Sequence, residues 1–112
     1  MNKPEVGTTL YLYGIRSGKF TVRKGTVVDD NKQRLKFYRR VQFTDKPGKE
    51  WCPEISEIGK LQYGRIWMTE RDDKKARDMF LEHEVWTLRE LEDKIAYKKS
   101  LITMLESVGM EG

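Results

Sequence analysis

Along Leu35–Thr44 the side chains alternate. Leu35, Phe37, Arg39, Val41 and Phe43 fall on one face, and Lys36, Tyr38, Arg40, Gln42 and Thr44 on the other. In an extended strand successive side chains point to opposite faces, so Lys36, Tyr38, Arg40 and Gln42 would offer two cations, a ring and an amide to one surface. Cations neutralise phosphates and release counterions, and an exposed ring stacks on a base, so this combination suits a polyanion. Arg23, Lys24, Lys32 and Arg34 would extend the surface if the neighbouring strands pair as a hairpin. A solvated sheet face of a basic protein has the same pattern, and tyrosine follows from strand propensity alone, so both readings stand. Arg39 is the exception on the apolar side; it either passes the core rim or pairs with an acid from a later helix.

Catalytic chemistry finds less support. The chain has no glycine-rich phosphate loop, nucleophile elbow or His-Glu-x-x-His pattern. His83 stands between Glu82 and Glu84 as an ordinary helix residue, and Cys52 lies far along the chain from this one histidine. A single cysteine and a single histidine form neither an internal disulfide nor a structural zinc site. Glu70, Asp72 and Asp73 suit a helix start, where acids complement the dipole, better than a metal site. No enzyme activity, cofactor or metal is expected.

The charge is divided along the chain. Residues 1–68 carry 14 Lys and Arg against 7 Asp and Glu, whereas residues 69–112 carry 8 against 11. Nine of the twelve aromatic residues lie in the first part. That part, 1–68, is expected to be a basic, aromatic-rich β domain, and 69–112 a helix that packs on the sheet and mediates assembly. With 112 residues, a second full core is not expected. With a mean hydropathy of -0.75 and no apolar run near the roughly 18 residues that span a bilayer, no membrane-spanning helix is expected, and the first residues hold no apolar signal segment, so a cytoplasmic protein is expected.

Turn residues divide the β part. Thr8–Tyr13 lies between Gly7 and Gly14, and Lys19–Val28 forms one bent strand or two around Gly25. Asp45–Pro53 is expected to be a loop, while Lys60–Gln62 and Arg65–Met68 flank a Tyr63-Gly64 turn. From Thr69, a candidate cap, no Pro or Gly interrupts the chain until Gly109, which suits a left-handed helix end. Leu81, Leu88, Ile95 and Ile102 recur at seven-residue spacing, with Leu91 and Leu105 on the same seam; Glu84 and Lys98 interrupt it. Flanking Glu90, Glu92, Lys94 and Lys99 could set register. A straight helix over this run would be about 58 Å long, against a radius of gyration of about 13 Å for a compact domain of this size. Either it folds into a helical hairpin near Tyr97–Ser100 or its seam pairs with another protomer, and pairing into a homo-oligomer is the expectation. The fold class is therefore α+β: a small N-terminal antiparallel sheet or barrel followed by a long C-terminal helix or helical hairpin.

The segment Ile58-Gly59-Lys60 through Arg65-Ile66-Trp67-Met68-Thr69-Glu70-Arg71-Asp72-Asp73-Lys74-Lys75-Ala76, with Phe80 and the charged heptad helix after it, carries a resemblance. This half of the chain resembles small uncharacterised proteins encoded by phages and prophages of Gram-positive bacteria. The resemblance implies no catalytic residues. It implies an accessory protein that acts by binding, such as an inhibitor of bacterial immunity or a sequestering protein for signalling nucleotides, in the host cytoplasm. A nucleic acid or nucleotide bound on the basic β face is the leading expectation. A host protein bound through the helix, Trp51 or Trp86 is the alternative, and no membrane partner is implied.

Overall fold

The structure, a computed structural model, describes residues 2–29 and 39–109. Strands β1 (Thr9–Arg16), β2 (Lys19–Val28), β3 (Arg40–Phe43), β4 (Lys49–Trp51), β5 (Leu61–Gln62) and β6 (Arg65–Met68) precede one helix, α1 (Asp73–Glu106). All strand pairs are antiparallel, in the order β4-β3-β2-β1-β6-β5. The α+β class is thus observed, but the sheet is not a closed barrel. Its edge strands β4 and β5, three and two residues long, do not pair with each other.

Two hairpins follow from local turn chemistry. Ser17 and Gly18 take φ of 51° and 73°, and Tyr63 and Gly64 take 53° and 74°, so each hairpin turns on two left-handed residues. Because Ser17-Gly18 supplies the first turn, β1 continues through Gly14, which had been expected to end it; Gly14 instead pairs with Thr21 and Arg65. β2 is a single strand with unbroken register past Gly25. The expected loop at 45–53 contains β4, whose Lys49–Trp51 pairs with Arg40–Gln42 after the turn at 44–47. Leu35 and Phe37, expected on the core face of the third strand, lie outside the described residues.

The core lies on one face of the sheet, where Leu10, Leu12, Val27, Val41, Phe43, Cys52 and Trp67 cluster with Ile58 against them. Arg39 donates from Nη1 to the carbonyl oxygens of Pro4 and Lys3, so the N-terminal segment, not a helix acid, receives it. On the opposite face Tyr13 and Ile66 are fully buried and Met68 nearly so.

The helix begins at Asp73, and Asp72 rather than Thr69 caps it, accepting from the Lys75 N–H at 3.0 Å. The Tyr13 hydroxyl selects this start. It donates to Asp73 Oδ1 at 2.7 Å and accepts from the Asp72 N–H at 2.9 Å. α1 then runs unbroken for 34 residues, so the helical hairpin does not form. It closes on Ser107 and Val108 with tighter bonds to Met104 and Leu105, and Gly109 does not take the expected left-handed conformation. The chain divides into two compact units, Met1–Arg77 and Asp78–Gly112, so the first turn of α1 belongs with the sheet.

Burial, then the hydrogen bond to Asp73, pushes the Tyr13 hydroxyl up to about 12 from 10.0. A raised folded-state value means the neutral phenol stabilises the fold fully below pH 10.0, and this stability is lost as pH rises through about 12. Tyr13→Phe is expected to cost about 2 kcal/mol near neutral pH, since two hydrogen bonds go and the Asp72 N–H loses its partner. In urea melts at about pH 8 and about pH 11, the variant should show the smaller alkaline loss. An equal loss in both proteins would place the alkaline sensitivity elsewhere.

Candidate ligand-binding face

Strand register decides which side chains share a surface. Partners facing each other in an antiparallel ladder point the same way. The pairs Tyr11 with Lys24, Thr26 with Gln42, Gln42 with Lys49, and Arg40 with Trp51 therefore lie on the face opposite the core cluster. None of the described β1–β4 residues on that face is acidic. The sheet's acid Glu50 and the turn acid Asp45 are placed on the core side. There Asp45 meets Arg23 at 3.4 Å and Glu50 meets Arg65 at 3.3 Å. Desolvation raises the Asp45 carboxyl, but the Arg23 hydrogen bond and charge, joined by backbone hydrogen bonds, together outweigh it and hold the carboxyl below the usual carboxylate range.

Three of the expected binding residues thus share a face: Lys24, Arg40 and Gln42. Lys24 is exposed, and the Arg40 guanidinium lies over the Trp51 ring at 4.1 Å from its centroid. Gln42 Nε2 donates to the Gly48 carbonyl at 3.2 Å, which ties β3 to the turn after it. Arg23 does not join them. As the neighbour of Lys24 in an extended strand it must point to the other side, where it lies 3.7 Å above the Phe43 ring. Lys36 and Tyr38, with Lys32 and Arg34, lie outside the described residues. Tyr11, Lys49 and Trp51 are additions. Lys49 and Trp51 were hidden because β4 is too short to show an alternation, although Trp51 already stood out as an isolated aromatic in a polar stretch.

The core side also carries concave features. One cleft of about 250 Å³ is lined by Arg16, Thr21, Arg23, Glu50 and Arg65, and another of about 270 Å³ by Lys3, Glu57, Lys60 and Trp67. Tyr63, at 94% exposure, borders both. The Cys52 thiol is buried in the core, donates to the Pro53 carbonyl, and is pushed up by burial, the opposite of an activated nucleophile. His83 is exposed beside Trp86 on α1. Among the described residues no three His, Cys, Asp or Glu side chains gather as a metal site, and no helix is long and apolar enough to cross a membrane.

The six expected interface residues, Leu81, Leu88, Leu91, Ile95, Ile102 and Leu105, are all more than half exposed on α1. Comparison with known protein families, with curated proteins and with solved structures finds no match, so a functional reading rests on the sheet face and this helix.

Proposed function

We propose that the chain is a non-catalytic binding module whose basic sheet face on β2–β4 takes a phosphate-bearing ligand, with single-stranded nucleic acid the best fit. The observation that carries this is the segregation of charge. Lys24, Arg40 and Lys49 spread over three adjacent strands beside Tyr11 and Trp51, while Asp45 and Glu50 neutralise arginines on the other side. Such a face combines phosphate neutralisation with rings for stacking. The clefts lie on the core side, whereas the basic face is spread over three adjacent strands, so an extended polyanion suits it better than one enclosed nucleotide. In the phage setting that the C-terminal half resembles, the module would serve as an accessory or anti-defence protein in the host cytoplasm.

The test is fluorescence anisotropy with a labelled oligothymidine at rising salt. With three cations engaged, the slope of log affinity against log salt is expected to be about −2. Arg40→Glu should weaken binding about tenfold or more. Arg16→Glu, the same charge change at an exposed position on the core side, should stay within about twofold because it lies outside the proposed contact. Salt-independent binding, or equal losses in the two variants, would refute the face assignment.

A protein-directed inhibitor or adaptor is the second reading, favoured by the exposure of Trp51, Trp86 and the helix seam. Recovery of one host protein by pull-down, with no oligonucleotide binding, would select it.

A further inference from the structure

The seam on α1 leads to an inference that is independent of the ligand. Leu81, Leu88, Leu91, Ile95, Ile102 and Leu105 are between 51% and 63% exposed, so among the described residues each keeps more than half of its surface uncovered. They run over 25 residues of one unbroken helix, about 36 Å of apolar stripe broken by Glu84 and Lys98. Their seven-residue repeat is the spacing that keeps an apolar seam facing a supercoiled neighbour.

We propose that this seam pairs with the same seam of a second copy of the chain, in antiparallel orientation about a two-fold axis. The polar residues within the seam choose the orientation. If Leu81 and Leu88 occupy one core position of the heptad, Glu84, Leu91, Lys98 and Leu105 occupy the other. A parallel pair in register sets Glu84 against the partner's Glu84 and Lys98 against the partner's Lys98, two like-charge contacts inside the seam.

Reversing one helix changes both contacts. Aligning Leu81 with the partner's Leu105 also aligns Ile95 with the partner's Leu91, and it brings Glu84 within one turn of the partner's Lys98. The two-fold axis repeats this attraction at the other end. Rim charges do not decide between the arrangements. Lys94 meets the partner's Lys99 in the parallel form, and Glu92 and Lys94 meet their own copies near the axis in the antiparallel form, all at solvated positions where such contacts count for little. The helix is thus complementary in charge to its own reversed copy, which an unrelated partner helix would not require.

Charge reversal within the seam tests both the partner and the orientation. Sedimentation equilibrium of the full chain at low salt should show a dimer. Glu84→Lys and Lys98→Glu should each weaken it roughly tenfold, because two attractions turn repulsive at once. The double variant should return to within about twofold of the wild type. Circular dichroism of each variant checks that the helix persists. A monomer at all concentrations up to roughly 100 μM would overturn self-pairing and leave the seam to another protein's helix. A dimer indifferent to either single reversal would overturn the antiparallel orientation, since in a parallel pair each change only replaces one like-charge contact by another.

Discussion

Gly25→Val is expected to destabilise the fold by roughly 3 kcal/mol or more, and Gly25→Ala by roughly 2 kcal/mol. Gly25 is buried in β2, between Leu10 of β1 and Phe43 of β3. A β-carbon there would meet Val41 Cγ1 at 2.5 Å, the Gln42 carbonyl oxygen at 3.0 Å and Phe43 Cδ1 at 3.2 Å. The side-chain atoms belong to the packed core, and the carbonyl is backbone, so relief requires β3 to move as a unit. The glycine does not have a positive φ, so its role is close approach rather than an unusual backbone angle. Replacing a strand glycine ordinarily gains some 0.5–1 kcal/mol in backbone entropy, which makes a net loss diagnostic of the contact. Urea midpoints followed by circular dichroism measure it. A wild-type midpoint for Gly25→Ala would mean that β3 shifts freely, and the packing account of this position would fail.

The same position shows what can be read from a sequence and what cannot. Gly25 invites a bend, yet its reason is the nearness of Val41 and Phe43, side chains that come into reach only when β2 and β3 pair. Turn chemistry is local, and the Tyr63-Gly64 hairpin was accordingly legible. So was the unbroken helix α1 with its exposed apolar stripe, because the period is written in consecutive heptads. The candidate face was legible in part. Alternation alone brings Arg40 and Gln42 together, but adding Lys24 from β2 while leaving out Arg23 requires the register between strands. The helix start was hidden for a similar reason. Thr69 and Asp72 are both plausible caps, and the choice falls to Asp72 through the hydroxyl of Tyr13, 59 residues earlier. β4 escaped notice because three residues carry no periodicity, and with it went Lys49 and the strand setting of Trp51.

The three tryptophans should separate stability from binding. Trp67 is 7% exposed, whereas Trp51 is 53% exposed and Trp86 is 56% exposed. The Trp67 ring stacks on Phe43 with centroids 6.2 Å apart and planes 16° from parallel, and the Arg23 guanidinium also contacts Phe43. β6 and β3 are not neighbours; β1 and β2 lie between them, so this contact exists because the sheet curls over its own core. Trp67→Ala is therefore expected to cost about 3–5 kcal/mol, the loss for a large buried aromatic, and to loosen the curl that brings Glu50 of β4 to Arg65 of β6. Trp51→Ala removes a ring at the sheet edge and should cost under about 1 kcal/mol. It should nevertheless weaken oligothymidine binding about tenfold, as loss of one stacking platform does. Denaturation is best followed by circular dichroism, since each change also removes a fluorophore. If Trp67→Ala unfolds near the wild-type midpoint, the curl is held by something other than the Trp67–Phe43 pair. If Trp51→Ala leaves both stability and binding intact, Trp51 is not the stacking platform, and the face must hold its ligand through Lys24, Arg40 and Lys49 with Tyr11 as the remaining ring, the salt slope staying at about −2.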